Sequence, residues 1–294
     1  MKTVIITGAN SGLGFQTAKK IAARSKEFEV ILACRNPEKA AQARDEIIAE
    51  TGNENVSVMQ LDTASLQSVR NFVQDYEKNH NNPVYALLCN AGISGSVSEK
   101  QVLTEDGFDI VFATNHLGHF LLATRMLPFM EKDGKILVTA SDMHNPPLQP
   151  GETYEWPGTE ALAHPDDTMA ANRLRYSYSK LCNVYFVYEL SRRLQAEKSG
   201  IRVNAFNPGL MKTHLVKGTN EAFYEFVRIN WPERYGDLEN SSSALAELTY
   251  SDDIIAGSGH FYDRSIRPCF TSALSYDEAN ARELWEKSEE YVKG

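Results

Sequence analysis

Cysteine is scarce: Cys34, Cys89, Cys182 and Cys269 are the only four in 294 residues, and no pair has C-x-x-C spacing. This excludes a disulfide-stapled scaffold and a zinc-finger arrangement. Three of the four lie in apolar runs, where buried free thiols are common, so reduced cysteines and no structural metal are expected. No apolar stretch approaches the ~20 residues of a membrane span. Positive charge is also in short supply, with 30 Lys and Arg against 39 Asp and Glu, a net charge of −9. Phosphate backbones and anionic lipid repel such a surface, so neither nucleic acid nor membrane is an expected partner. After Met1 and Lys2 the chain enters the apolar run Thr3–Thr7, with no leader pattern, and a cytoplasmic location is the expectation.

What is present is the composition of an ordinary globular domain, 42% hydrophobic and 23% charged. The length suits one large α/β unit over 1–294. Short apolar runs alternate with helical periodicity. Val4–Thr7, Val30–Ala33, Val56–Gln60, Val84–Cys89, Lys135–Thr139, Ile201–Phe206 and Gly259–Tyr262 read as strands. Gly14–Ala23, Pro37 to about Glu50, Ser65–Lys78, Thr104–Met130, Tyr176–Lys198, much of 214–250 and Asp277–Val292 read as helices. Strands that are continuously apolar are covered on both faces. The expected fold is therefore a single-domain, Rossmann-type, doubly wound parallel sheet of about seven strands with helices on both faces. The stretch from His144 to Asn172 breaks the pattern with prolines, glycines and aromatics. It reads as a long ordered loop covering the substrate, followed later by a C-terminal helical region at about 214–294.

Chemistry enters at Thr7-Gly8-Ala9-Asn10-Ser11-Gly12-Leu13-Gly14, between the first strand and the first helix. A backbone passing close to a pyrophosphate cannot carry Cβ atoms, and the helix beyond presents its N–H groups to an anion. At the end of the second strand an acid would bind the ribose hydroxyls of NAD. Here the chain has Arg35, a planar phosphate-binding donor, with Lys39 four residues on, so NADP(H) is expected over NAD(H). Tyr176 and Lys180 are four apart on one helix and so share a face. A free phenol has a pKa of about 10 and is a poor base; a neighbouring ammonium and an oxidised nicotinamide both favour its phenolate. Tyr178, two residues from Lys180, points elsewhere.

The spacing T-G-x-x-x-G-x-G resembles the short-chain dehydrogenase/reductase family, and the resemblance continues from residue 3 to about 213. It implies that Asp62 and Thr63 sit at the adenine, and that Asn90-Ala91-Gly92 packs beside the cofactor. It implies that Asn115 is a structural and proton-relay residue holding a water, and that Ser141 hydrogen-bonds the substrate oxygen. Tyr176 is then the general acid/base and Lys180 its tuner. Asn207-Pro208-Gly209 and Thr213 hold the carboxamide. Ala33-Cys34-Arg35, Thr114–Phe120 and Ser179–Asn183 resemble the branch containing retinol dehydrogenases and light-dependent protochlorophyllide reductase. Where that reductase has a cysteine after Pro-Gly, this chain has Leu210. Leu210, His144, Tyr154 and Trp156 are the candidate substrate contacts, with Leu162 and Met169 as further apolar lining.

The expected activity is hydride transfer between NADP(H) and a carbonyl or alcohol, or a conjugated double bond, on an apolar small molecule. The alternatives are an NADPH-binding regulator or an interaction protein on the same fold without turnover. By resemblance, homo-oligomers form through the helices carrying Asn115 and Tyr176, unless loop 144–172 blocks them and leaves a monomer.

Overall fold

The structure, a computed structural model, describes residues 1–80, 82–94, 102–170, 172–213, 215, 220–252 and 257–293. Residue 171 of the predicted loop and residues 214, 216–219, 253–256 and 294 of the predicted C-terminal region lie outside them.

The first half is a run of strand–helix units: β1 Lys2–Thr7, α1 Gly12–Arg24, β2 Phe28–Cys34, α2 Pro37–Thr51, β3 Val56–Gln60, α3 Leu66–Asn79 and β4 Val84–Cys89. The helices start where local chemistry caps them. Asn36 accepts from the Lys39 amide ahead of Pro37, and Ser65 accepts from the Ser68 amide. The second half carries α4 Ile110–Phe112, α5 Gly118–Met126, β5 Met130–Thr139, α6 Thr159–Ala163, α7 Asp167–Ala170, α8 Arg175–Ala196 and β6 Arg202–Phe206. It closes with α9 Glu221–Asn230, α10 Leu238–Tyr250, β7 Phe261–Tyr262, β8 Pro268–Cys269 and α11 Glu278–Tyr291.

The strands form one sheet in the order β3-β2-β1-β4-β5-β6-β7-β8. Every pairing is parallel except β7 with β8. Apolar side chains fill a core on each face. One gathers α3, α5, α8 and α11, and the other gathers α1, α2 and α10. The doubly wound architecture is therefore as expected, with one more strand: β8 is two residues long and antiparallel, too short to register as a periodic pattern. Strand order reverses between β1 and β4, and ligands of open α/β sheets bind outside the strand ends at such a point.

The single helix expected over Thr104–Met130 is shorter and interrupted. It begins at Ile110, capped by Asp109 on the amides of Val111 and Phe112, and it carries a π turn at Ala113–Leu117. Such bulges gather at functional sites, and this one holds Asn115.

Candidate active site

Gly8 adopts φ 66° and Gly12 φ 56°, the left-handed region that only glycine enters freely. A Cβ at Gly8 would lie 3.0 Å from the Ala91 Cα, and one at Gly14 would lie 2.6 Å from the Asn90 side-chain nitrogen. The glycine turn and the Asn90-Ala91-Gly92 turn are thus pressed together at the strand-order reversal. Thr7 ties them: its hydroxyl accepts from the amides of Asn90 and Ala91, both at 2.8 Å. Gly12 looks across at Thr213, whose methyl would be 3.7 Å from a Cβ there. Asn10, Ser11 and Leu13 complete the turn, and α1 carries no acid in its first turn and no side-chain cap. The open N-terminal amides, the missing Cβ atoms and the exposed Arg35 and Lys39 beyond β2 fit a dinucleotide phosphate.

Asp62 and Thr63 follow β3. Asp62 accepts from the Ala64 amide at 3.0 Å, and the Thr63 carbonyl packs so closely on α5 that a Cβ at Gly118 would sit 2.0 Å from it. Gly209 adopts φ 71°, and its amide donates to the Asn207 side chain at 3.0 Å, while the Pro208 carbonyl accepts from Ser241 at 2.8 Å. Leu210 pairs its backbone with the Arg234–Gly236 segment.

On α8, one face turns toward the end of β5. The Lys180 ammonium donates to the Thr139 carbonyl at 3.0 Å, and the Asn183 amide reaches the same oxygen at 3.2 Å. Lys180 Nζ lies 5.6 Å from the centre of the Tyr176 ring. A Cβ at Gly92 would be 3.1 Å from Asn115 Oδ1 and 3.8 Å from Lys180 Nζ, so the Asn90–Gly92 turn, the π turn and the lysine converge. Ser141 caps the short 3-10 turn Asp142–His144 directly after β5. Its hydroxyl favours the Tyr176 phenolate, opposing the burial that raises the phenol. The catalytic candidates Tyr176, Lys180, Ser141 and Asn115 are brought together.

Burial dominates their electrostatics. Tyr176 is half-buried, and burial together with the Asp142 carboxylate raises the phenol well above its ordinary value. Burial lowers Lys180 to about 8. Two buried thiols are likewise pushed up, Cys34 to about 11 and Cys89 to about 12, which leaves them unreactive. Among the described residues no group of three His, Cys, Asp or Glu side chains is arranged to hold a metal.

Asn115 uses its whole side chain inside the protein. Its oxygen accepts from the Ile93 amide at 2.8 Å, and its nitrogen donates to the Ile93 carbonyl and the Ser179 hydroxyl, both at 2.9 Å. The clamp ties the π turn to Ile93 and to α8. His119, one turn on, was legible only as part of a resemblance phrase, yet it completes the network. The Thr7 hydroxyl already accepts two amides, so its proton goes to His119 Nε2 at 2.9 Å. His119 Nδ1–H is then left to donate to the Asn115 carbonyl at 3.2 Å. Burial and the field of Lys180 lower His119 to about 4, keeping it neutral.

The substrate candidates fare differently. His144 donates from Nδ1 to the Ser141 carbonyl at 2.7 Å, and its Nε2 accepts from the Ser272 amide at 3.1 Å. It is a buried tie between two loops, with no nitrogen left over for a substrate. Tyr154 stacks on Tyr178 at 4.7 Å, and Trp156 meets the edge of Tyr185 at 5.2 Å while donating to Glu283 at 2.8 Å. With roughly 100° per residue, Tyr178 and Tyr185 point to the side of α8 opposite Tyr176. The lining role expected of Tyr154 and Trp156 does not hold; this part of 144–172 covers the back of α8. Leu162 is buried in the core, and Met169 packs against the core.

A parallel sheet whose strand-order reversal faces a Tyr–Lys–Ser group marks an oxidoreductase that works with a nicotinamide dinucleotide. The comparison with known proteins makes the class particular. The chain belongs to the short chain dehydrogenase family, whose pattern matches residues 2–155. It is 33% identical over 307 residues to the WW domain-containing oxidoreductase of Gallus gallus, covering 99% of this chain and 68% of that protein. It is 34% identical over 301 residues to retinol dehydrogenase 13 of Homo sapiens, covering 99% of this chain and 84% of that protein. The fold is similar to the crystal structure of a putative uncharacterized protein from Mycobacterium Paratuberculosis. There the TM-score is 0.73 and the identity 29%, over 100% of this chain and 94% of that one.

Proposed function

We propose that the protein is an NADP(H)-dependent oxidoreductase of the alcohol dehydrogenase/carbonyl reductase type, acting on an apolar carbonyl or alcohol or a conjugated double bond. The observation that carries the reading is the convergence of Tyr176, Ser141 and Lys180 at the end of β5, beside the glycine turn. The nicotinamide, when bound, supplies or accepts the hydride. Tyr176 gives the proton to the substrate oxygen. Its raised pKa keeps it protonated at neutral pH, which suits reduction; the reverse oxidation uses the same atoms. Ser141 holds the acceptor oxygen, and Lys180 stabilises the phenolate left behind and binds the nicotinamide ribose. Asn115 clamps the 91–93 turn against Lys180 and has a place in proton relay. Asp62 and Thr63 receive the adenine, Asn90–Gly92 packs beside the cofactor, and Pro208, Gly209 and Thr213 receive the carboxamide, with Leu210 beside the substrate.

Arg35 and Lys39 support NADP(H): both are exposed just beyond β2, and the residue directly after the strand is Arg35 rather than an acid. Arg35→Glu should reverse the preference, measured as the ratio of kcat/KM for NADPH and NADH. Among the described residues no helix is long and apolar enough to cross a membrane, and a cytoplasmic site of action is proposed. Because residues 154–163 and α11 cover the outer side of α8, we read the protein as a monomer; light scattering on a sizing column checks it. The central test is Tyr176→Phe. Turnover of an aldehyde or ketone panel should vanish while NADPH binding by fluorescence titration is preserved, and retained turnover refutes the reading.

A further inference from the structure

Ser141 and Tyr176 sit on separate elements, one on the turn after β5 and the other at the start of α8, and the proposed reaction needs both at one substrate oxygen. Two residues of that turn reach beyond it. Asp142 faces Arg234 Nη1 at 3.7 Å, an ion pair too long for a hydrogen bond. His144 is buried and makes two bonds of ordinary length. Its Nε2 lies 3.1 Å from the Ser272 amide, which can only donate, so the ring proton is on Nδ1 and goes to the Ser141 carbonyl at 2.7 Å. The His144 amide donates to the same carbonyl at 3.1 Å. Ahead of Ser141, the Ala140 amide donates to the Phe206 carbonyl at 2.8 Å. The chain is therefore held on both sides of Ser141, and with it the direction in which the Ser141 side chain leaves the backbone. Ser272 is in turn tied to α8. Its neighbour Thr271 shares a hydrogen bond of 2.8 Å with the Tyr188 hydroxyl. The Thr271 amide donates at 3.1 Å to Tyr276, whose ring stacks on Tyr188 at 5.6 Å. Tyr188 stands on the same helix as Tyr176, about 18 Å further along it.

We propose that His144 is a positioning residue: with Ser272, Thr271 and Tyr188 it braces the backbone of Ser141 against the helix that carries Tyr176. This rests on the reading of Ser141 as the group that holds the substrate oxygen. The path is closed, running from Tyr176 along α8 to Tyr188, through Thr271 and Ser272 to His144, and back to Ser141. Leu274, which Tyr185 holds, lies beyond Ser272 and off this path. A histidine that merely filled space beside Phe261, whose ring is 5.1 Å away, would be replaced without kinetic cost by a side chain of similar bulk. One that merely shaped the turn would be replaced by asparagine. The asparagine amide nitrogen stands where the histidine Nδ1 does and keeps the bond to the Ser141 carbonyl, but the side chain stops short of Ser272. Only the brace makes a bond at Tyr188 matter to Ser141.

The experiment is a double-mutant cycle on NADPH-driven reduction of the best aldehyde or ketone of the panel. It compares wild type, His144→Asn, Tyr188→Phe and the double variant at a temperature where melts show all four folded. His144→Asn should lower kcat about tenfold, and Tyr188→Phe about threefold. KM for NADPH should stay within about twofold throughout, since neither change touches cofactor binding. The double variant should be no slower than His144→Asn, because a single path can be broken only once. Factors that multiply in the double variant, or a kcat left at the wild-type level in either single one, overturn the brace. A readout independent of turnover is hydrogen exchange at the Ser272 amide, followed by nitrogen-15 NMR of the free protein. It should quicken in Tyr188→Phe, which loses one hydroxyl from a half-buried ring and so serves even if His144→Asn does not fold; an unchanged rate there also overturns the brace. Ser141→Ala separates the two readings. Full turnover in that variant would sink the role of Ser141 itself, whereas slow Ser141→Ala beside a normal His144→Asn would sink the brace alone.

Discussion

The two sides of α8 do opposite work with the same building blocks. The side holding Tyr176, Lys180 and Asn183 is polar, and it places an ammonium at 4% exposure on one strand-end carbonyl. The side holding Tyr178, Cys182 and Tyr185 is apolar, and it is sealed by Tyr154, Trp156 and α11. Tyrosines occur on both. What separates them is the company of the hydroxyl: Tyr176 faces a serine, while Tyr185 donates to the Leu274 carbonyl at 2.8 Å and stays in the core. Residue type alone therefore says little; helix phase decides which tyrosine is chemistry and which is packing.

Changes on either side should separate activity from stability. Lys180→Met should cost 10²- to 10⁴-fold in kcat, the range for losing a tuned acid/base group. Thermal stability should be unchanged or higher, because a buried ammonium is removed and Asn183 still serves the Thr139 carbonyl. A large loss of melting temperature would mean the lysine is structural. Tyr185→Ala should do the reverse. It empties a fully buried site and should lower stability by about 3–5 kcal/mol in urea melts, with kcat per folded molecule close to wild type.

Acid should attack the buried histidines His119 and His116. His119 and His116 protonate in the unfolded chain near pH 6.5, but in the folded protein only near 4 and 3. The unfolded state therefore takes up protons first. Their contribution is whole above about pH 6.5 and is lost as pH falls toward the folded values. For His119 alone this amounts to on the order of 3 kcal/mol by pH 4, and His119→Gln should flatten that slope in melts between pH 7 and pH 4. The smallest effect belongs to the seal. Glu283 accepts from Trp156 Nε1 and the Thr159 hydroxyl at 2.8 Å and from the Thr159 amide at 3.1 Å, so Glu283→Ala should cost about 1–3 kcal/mol. Greater protease cleavage within 150–165 in this variant, with steady-state kinetics intact, would fit a cover over the back of the helix; altered KM for the carbonyl would place it at the substrate after all.

Much of this was readable in the chain. Buried parallel strands are unbroken apolar runs, and the glycine turn and the Tyr-x-x-x-Lys pair sit at spacings their geometry demands, whereas Ser141 and Asn115 were legible only through the family resemblance. The aromatics of 144–172 announced burial, but no local signal says against which surface a ring will lie, so Tyr154 and Trp156 were assigned to the wrong side. The π turn differs from an ordinary helix by a single shifted hydrogen bond, which leaves no periodic trace. The pairings of Asp142 with Arg234 and of Thr7 with His119 join residues far apart in sequence, so only the assembled fold reveals them.

The carbonyl of Thr139 is the last residue of β5 and the shared acceptor for Lys180 and Asn183. Sliding that strand by a single residue would carry the oxygen about 3.3 Å along the sheet. The Lys180 amine is thus referenced to the ladder between β5 and its neighbours, and strand register becomes a determinant of its alignment in its own right.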